Sequence, residues 1–235
     1  MEQILLVNNV TKSYSKAKVA LNNVYLDLPK GHIIGLLGPN GSGKTTLLKL
    51  CAGLLTPNAG QIQICGIPVG QDTKALVSYL PDRTYFRNDQ TVRQQMDYFK
   101  DFYADFDYTR AENMLQQLNI NPKSRFGALS KGNKEKVQLI LVMSRSAKLY
   151  LLDEPIAGVD PAARDLILDT ILANYNPDST VIISTHLIGD IERVLDEVIF
   201  LKDGNVVLHD TTDNIREREG KSIDALFREM FRATW

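Results

Sequence analysis

The chain has 235 residues, 44% of them hydrophobic, a length that suits one large domain or a core that carries a smaller subdomain. Its 27 basic and 28 acidic residues leave a formal net charge of −1, so no concentrated basic surface indicates a nucleic-acid partner. Two cysteines are too few for a disulfide framework or a zinc site, and no apolar run approaches the roughly 18 residues of a membrane span.

The first 90 residues alternate short apolar runs with turn residues, a pattern typical of strands. We predict strands at residues 4–7, 19–28, 33–37, 61–64 and 76–80. Between the first two strands, residues 11–15 are mostly polar, and we interpret them as a turn that carries one aromatic side chain, Tyr14.

From about residue 91 to residue 147, apolar residues recur every three or four positions, as expected for helices. We interpret this stretch as an inserted helical subdomain. Its aromatic side chains would also fit a face that docks a partner, but a subdomain core is the favoured interpretation. These side chains are Tyr98, Phe99, Phe102, Tyr103, Phe106 and Tyr108.

The alternation of strands and helices resumes at residue 149. Strands are predicted at residues 149–152, 180–184, 198–201 and 206–209. Helices are predicted from Asp160 to about residue 175 and from about residue 187 to residue 195. The last segment, residues 211–235, is charged and has helical spacing.

A phosphate-loop motif follows the third predicted strand and opens a helix, which is the context that this motif requires. Glycines let backbone N–H groups point at a phosphate, and the helix N-terminus adds partial positive charge. Lys44 would reach the β- and γ-phosphates, and the Thr45 hydroxyl would ligate Mg²⁺. The motif comprises Gly38, Pro39, Asn40, Gly41, Ser42, Gly43, Lys44, Thr45 and Thr46.

Two carboxylates follow the buried strand that begins at residue 149. Ligands of open α/β sheets bind at the carboxyl ends of the strands, so Asp153 would support the Mg²⁺ shell there. Glu154 is placed to polarise an attacking water. Together with the phosphate loop, this pair predicts hydrolysis of a nucleoside triphosphate.

Three further motifs stand in a fixed order around these two: Leu-Ser-Lys-Gly-Asn at residues 129–133, Asp160 before a proline, and Ser-Thr-His at residues 184–186. In this order the motifs resemble the nucleotide-binding subunit of an ATP-binding-cassette (ABC) transporter, over nearly the whole chain. The resemblance implies that Tyr14 stacks on adenine and that His186 touches the γ-phosphate. It also implies that Asp160 lies in the loop that links two nucleotide sites.

The same resemblance implies a signature loop that caps the γ-phosphate of nucleotide held by an opposite subunit. Its members in this chain are Ser130, Lys131, Gly132 and Asn133. The implied ligands are ATP and Mg²⁺. The implied partners are a separate transmembrane permease subunit and a second nucleotide-binding subunit, in a homodimer or a heterodimer. We therefore expect a cytoplasmic protein, peripheral on the inner face of the cell membrane.

The expected fold is α/β, a phosphate-loop NTPase core with a mixed sheet flanked by helices, an N-terminal antiparallel β-subdomain and an inserted helical subdomain. In one ABC ATPase domain over residues 1–235, residues 1–90 and 148–210 would form the ATP-binding core and β-subdomain. Residues 91–147 would form the helical subdomain with the signature. Residues 211–235 would form a C-terminal helical segment.

Two departures from the family pattern concern the predicted site. Asp82 stands where the family usually has a glutamine associated with Mg²⁺ and with contact to the membrane subunit. An aspartate can still ligate a hard cation, but it adds a negative charge. Lys131 replaces the first of two signature glycines, and Asn133 replaces the usual glutamine. The Ser-Lys-Gly signature and residues 102–107 resemble a bacterial branch of exporters.

The sequence therefore predicts the ATPase subunit of an exporter of drugs, peptides or other small molecules. The alternative is a soluble ABC-type ATPase that acts on ribosomes or DNA, but the chain has one phosphate loop, no heptad run and no basic tract. A phosphate-loop kinase would not explain the signature. A silent regulatory subunit is disfavoured because Lys44, Asp153, Glu154 and His186 are all present.

Overall fold

A computed structural model describes residues 2–15, 18–157 and 161–232, with only the backbone for residues 161–163. Within these residues the chain forms ten strands: β1 (Gln3–Ser15), β2 (Lys18–Pro29), β3 (Ile33–Leu37), β4 (Ala59–Ile64), β5 (Ile67–Pro68), β6 (Val77–Leu80), β7 (Leu149–Asp153), β8 (Thr180–Thr185), β9 (Glu197–Lys202) and β10 (Asn205–Thr211). The helices of the same described residues are α1 (Lys44–Cys51), α2 (Val92–Phe102), α3 (Tyr108–Gln117), α4 (Lys131–Met143), α5 (Pro161–Asn174), α6 (Ile188–Ile191), α7 (Thr212–Glu219) and α8 (Ile223–Phe231). No helix of this described part has both the length and the apolar character needed to cross a membrane.

The strands form two sheets. One is an antiparallel sheet of the order β2-β1-β4-β5. The other has the order β10-β9-β3-β8-β7-β6, in which neighbouring strands run parallel except for the antiparallel β9–β10 hairpin. The predicted α/β class, with a mixed sheet and an N-terminal antiparallel sheet, is confirmed.

The six-stranded sheet packs against a different apolar core on each of its two faces. The residues of β3 show how the sequence produces this arrangement. Ile34 and Leu36 lie in the core that contains Leu47 and Leu48 of α1 and the inner face of the antiparallel sheet. Ile33 and Leu37 lie in the other core, which contains the helices α2–α4. Successive strand side chains point to opposite faces, so a strand buried on both faces has a continuous apolar sequence. This burial holds α1, and with it the phosphate loop, against the sheet.

The predicted turn at residues 11–15 is wrong, because β1 continues as far as Ser15. Lys12 pairs with Leu21 and Ser15 pairs with Lys18, with several register shifts along the strand pair. The polar side chains of this stretch are half-buried or exposed, since the strand end extends beyond the core. The polar residues of the sequence correctly indicate exposure here, but we interpreted them as a turn that ends the strand.

The aromatic side chains of residues 98–108 divide between core and surface. Phe99 and Phe106 are buried and in ring contact, as the core interpretation predicts. Tyr98 and Phe102 are 49% and 67% exposed and lie against each other with ring centroids 4.4 Å apart. The core interpretation is therefore correct for the first pair and wrong for the second.

The C-terminal residues form two capped helices rather than one. The Thr211 hydroxyl accepts a hydrogen bond from the Asn214 N–H, and Gly220 ends α7 at a φ of 63°. Phe227 and Phe231 of α8 pack on Phe200 of β9, with ring centroids 5.5 and 6.0 Å away. The predicted helix at residues 187–195 is likewise two short pieces, α6 and a 3₁₀ turn (Glu192–Val194).

A buried carboxylate ties together the amino end of β3, the start of β9 and the strand β10. The side chain of Glu197 is 9% exposed and lies 2.5 Å from Nδ1 of His32 and 2.9 Å from Nε2 of His209. Burial alone would raise the pKa of Glu197, but the hydrogen bonds from the two histidines outweigh it and hold the pKa below its usual value.

Replacement Glu197→Gln should therefore lower the free energy of unfolding by about 1–3 kcal/mol at neutral pH. A carboxylate whose pKa is lower in the folded state stabilises the protein above the unfolded pKa and loses this effect as the pH falls through the folded pKa. Urea unfolding of both proteins between pH 7 and pH 3 measures the difference. If the two proteins differed in unfolding free energy by the same amount at pH 7 and at pH 3, the ionised form of Glu197 would not be the source of the difference.

Candidate nucleotide site

The phosphate loop connects the carboxyl end of β3 to the amino end of α1. Gly43 immediately precedes the helix with a φ of 111°, and a Cβ there would lie 2.4 Å from the Ala20 carbonyl oxygen. Only glycine fits this conformation and this close approach. The Ser42 hydroxyl of this loop is buried without a hydrogen-bond partner in the described structure, so it is available to donate to a ligand.

The ammonium group of Lys44 is folded back over its own loop. It donates hydrogen bonds to the carbonyl oxygens of Gly38 and Pro39, at 2.7 and 3.2 Å, and lies 3.9 Å from a carboxylate oxygen of Glu154. Burial lowers the pKa of Lys44, and the carboxylates of Glu154 and Asp153 oppose that effect. The lysine is thus held at the loop before any phosphate arrives.

Asp153, the last residue of β7, is buried and joins three elements. Its Oδ1 accepts hydrogen bonds from the hydroxyls of Ser184 on β8, at 2.6 Å, and of Thr45 on α1, at 3.1 Å. Burial raises the pKa of Asp153 even though these hydroxyls lower it. Its Oδ2 is buried with no hydrogen-bond partner in the described structure.

This unpaired oxygen and the adjacent Thr45 hydroxyl are the hard oxygen donors that Mg²⁺ prefers. The described residues contain no group of three or more histidine, cysteine, aspartate or glutamate side chains able to hold a metal. A magnesium ion here would therefore complete its coordination with phosphate oxygens and water, as is usual for this ion.

Glu154 lies beside Asp153 in a strained conformation. Its φ of 52° is rare for a residue with a side chain, and such strain concentrates at functional sites. Its N–H donates to the Ser184 carbonyl at 3.0 Å, which fixes the backbone. Nδ1 of His186 lies 3.1 Å from both carboxylate oxygens of Glu154, so the residue expected to polarise water and the histidine expected to touch the γ-phosphate are in contact.

A cleft of about 370 Å³ brings most of the predicted nucleotide residues together. The Tyr14 ring is 54% exposed at one side, and its hydroxyl lies 3.3 Å from that of Thr46. The lining residues are Tyr14, Lys18, Val19, Ala20, Asn40, Gly41, Gly43, Lys44, Thr45, Thr46, Asp82 and Glu154. A more open hollow of about 490 Å³ beside α3 contains none of the predicted site residues.

The predicted signature residues do not line this cleft. The Ser130 hydroxyl caps α4 by accepting the Asn133 N–H at 3.3 Å. The Lys131 side chain is 75% exposed, and a Cβ added at Gly132 would meet no atom within 4 Å, so the start of this helix faces open space. Asp160, the predicted inter-site residue, lies outside the described residues.

Sequence reasoning missed two contributors to the site. Ser184 was noted at a strand end and in the Ser-Thr-His motif without a role of its own, yet its hydroxyl donates to Asp153 and its carbonyl oxygen accepts from the Glu154 N–H. A serine directly after the buried apolar residues 181–183 was the available signal. Lys18 adds a positive charge to the cleft from the start of β2, and no local pattern marked it.

The fold and the site define a phosphate-loop NTPase with two carboxylates at the carboxyl end of β7, two strands away from β3 in the sheet. The family model described as ABC transporter matches residues 21–157. The chain belongs to the ABC transporter family and is an ATP-hydrolysing cassette of the kind that serves as the ATP-binding subunit of a transporter.

Individual relatives agree with this assignment. The chain is 32% identical to the ABC transporter ATP-binding protein YtrB of Bacillus subtilis, over 84% of this chain and 68% of that protein. It is 30% identical to the Nod factor export ATP-binding protein I of Burkholderia orbicola, over 90% and 72% of the two chains. A solved ATP-binding subunit of an ABC transporter superposes with a TM-score of 0.86 at 28% identity, over 97% of this chain and 99% of the other.

Replacement Gly43→Ala should weaken ATP binding by about tenfold or more, because the new Cβ must displace backbone at a φ that favours glycine. Gly189→Ala in α6 is the matched control, since a Cβ there meets nothing within 4 Å. Calorimetric titration with ATP, together with thermal unfolding of each variant, measures the effect. Equal ATP affinities in the two variants would show that the loop does not need this glycine.

Proposed function

We propose that this chain powers an exporter, as one of two ATP-hydrolysing subunits docked on a separate transmembrane permease at the inner face of the cell membrane. One observation carries the proposal: residues of the phosphate loop and Glu154 line the cleft, whereas the start of α4 faces open space outside it. In this proposal the site is complete only when the start of α4 from a second subunit covers the nucleotide. Export is supported by the Ser-Lys-Gly signature and by the Nod factor relative.

The chain's own residues would bind ATP as follows. Tyr14 supports the base, backbone N–H groups of the loop cradle the phosphates, and Lys44 exchanges its loop carbonyl contacts for the β- and γ-phosphates. Thr45 and Asp153 would hold Mg²⁺, and Asp82 lines the same cleft as Thr45. When bound, this ion would neutralise phosphate charge.

Hydrolysis would follow closure of two subunits around ATP. Glu154 orients a water and takes its proton as the water oxygen bonds to the γ-phosphorus, and the bond to the bridging oxygen breaks to release ADP and phosphate. His186 holds the Glu154 carboxylate in place. Lys44 stabilises the developing negative charge. Reopening after release of the products would drive the permease.

Replacement Glu154→Gln should lower kcat about 10²-fold or more, because the amide cannot accept the proton, while ATP binding persists. The variant should therefore accumulate as an ATP-bound dimer. Steady-state ATPase assays and sedimentation with and without ATP measure the two effects. A normal kcat in the variant would show that Glu154 is not the base. A variant that stays monomeric at saturating ATP would contradict the closure of two subunits around ATP.

The proposed helical subdomain, residues 91–147, offers a surface for the permease. Tyr98 and Phe102 on α2 are exposed and in contact, with their rings tilted by 32°, and Tyr85 is 54% exposed. Exposed clusters of large apolar side chains are typical of protein interaction sites. Tyr85 follows Asp82 by three residues, so one short loop joins this aromatic patch (Tyr85, Tyr98 and Phe102) to the nucleotide cleft.

The double replacement Tyr98→Ser with Phe102→Ser should abolish capture of a multi-spanning membrane protein from detergent-solubilised membranes of the native host, while the ATPase rate of the isolated subunit is retained. Tyr25→Ser, which changes a 56% exposed tyrosine on β2, is the control and should keep the capture. Capture of ribosomal or DNA-bound material alone, with no membrane chain, would instead support the soluble ATPase.

A further inference from the structure

The hydroxyl of Tyr79 is a buried polar group that the proposed mechanism does not use. Tyr79 lies on β6, and its side chain packs against the apolar core on the α1 side of the six-stranded sheet. Its hydroxyl oxygen is buried and has no hydrogen-bond partner among the described residues. Because a buried hydroxyl without a partner is costly, its presence in a folded protein needs an explanation.

The strand register brings Tyr79 to the same face of the sheet as Asp153. Tyr79 pairs with Leu151 of β7, and Asp153 follows Leu151 by two residues, so the three side chains share one face. With strands about 4.8 Å apart and a rise of about 3.3 Å per residue, the Cα atoms of Tyr79 and Asp153 are roughly 8 Å apart. A tyrosine side chain is long enough to span most of that distance.

The charges that act on the hydroxyl agree with this placement. Burial is the main cause that raises the pKa of Tyr79, and the carboxylates of Asp153 and Asp82 raise it further. The hydroxyl therefore keeps its proton at neutral pH and is available as a donor beside two acceptors.

The two carboxylate oxygens of Asp153 differ in what they accept. Oδ1 accepts hydrogen bonds from Ser184 and Thr45, whereas Oδ2 is buried with no partner in the part of the chain that the structure describes. A carboxylate held at one oxygen can still turn about its bond to Cβ, and a donor at the second oxygen would fix its plane. Hydrogen bonds of this kind commonly orient metal ligands.

We propose that Tyr79 is a positioning residue of the metal site, whose hydroxyl donates to Oδ2 of Asp153 when Mg²⁺ is bound and so holds the carboxylate toward the ion. This inference rests on the proposed function, which assigns Thr45 and Asp153 to Mg²⁺. Oδ2 can accept this hydrogen bond and still face the ion, because a carboxylate oxygen has two lone pairs. Since the hydroxyl has no partner in the described structure, its removal should affect metal binding and leave the free energy of unfolding unchanged.

Replacement Tyr79→Phe removes the hydroxyl and keeps the ring. We expect it to weaken binding of Mn²⁺, used as a paramagnetic probe of the magnesium site, to the complex with ADP by about tenfold. Electron paramagnetic resonance of the free Mn²⁺ measures this affinity. In EDTA, the affinity for ADP and the urea midpoint of unfolding should equal those of the wild type. Tyr175→Phe is the matched control, since it removes another buried hydroxyl without a partner in the described structure, next to the opposite core, and should not change Mn²⁺ binding.

A double variant distinguishes the two carboxylates near the hydroxyl. In an Asp82→Asn background, Tyr79→Phe should weaken Mn²⁺ binding by the same factor, because Asp153 is the acceptor. Loss of the effect in that background would identify Asp82 as the acceptor and overturn the inference. Unchanged Mn²⁺ affinity in Tyr79→Phe, an equal loss in Tyr175→Phe, or a lower urea midpoint of Tyr79→Phe in EDTA would also overturn it. A wild-type chain that neither hydrolyses ATP nor binds Mn²⁺ with ADP would instead overturn the proposed function, and this inference with it.

Discussion

One carboxylate oxygen, Oδ1 of Asp153, holds the catalytic end of the sheet together. The strand order places β8 between β3, which leads into the phosphate loop, and β7, which ends at Asp153. Ser184 on β8 and Thr45 on α1 both donate to this oxygen, so three elements meet at one acceptor. Burial of a carboxylate is costly unless hydrogen bonds satisfy it. These two donors offset part of that cost and leave the other oxygen available.

The residues around Asp153 are arranged before nucleotide binds. Lys44 is held by loop carbonyls and lies near Glu154, and His186 contacts the same glutamate. In the proposed mechanism Lys44 has to exchange its carbonyl contacts for phosphate, whereas Glu154 and His186 are already in contact and need little reorganisation during the reaction. The positive φ of Glu154 is a local strain that the hydrogen bond from its N–H to Ser184 compensates.

The parts of the fold that the sequence predicted well are those set by local pattern. Strands β3 and β7 are buried on both faces and therefore have continuous apolar sequences, and the phosphate loop needs glycine at Gly43 for reasons of backbone conformation. Other features depend on which segments distant in sequence come into contact. These are the strand order, the Ser184 contact and the burial of Phe99 but not of Phe102. A local sequence pattern does not determine such tertiary contacts. For the same reason the end of β1 was misinterpreted, because an exposed strand end and a turn have similar compositions.

The nucleotide core and the helices α2–α4 are joined by a second buried ionic group, the guanidinium of Arg145. Arg145, 2% exposed, donates to Asp105 at 3.0 and 3.2 Å and to the carbonyl oxygens of Ala75 and Val77, and its guanidinium lies 3.9 Å from the Tyr103 ring centroid. Arginine suits such a position because its planar group bonds several acceptors at once. The start of β6 is thereby fixed to the segment between α2 and α3. Since β6 ends two residues before Asp82, four residues of paired strand and Pro81 connect this junction to the nucleotide cleft.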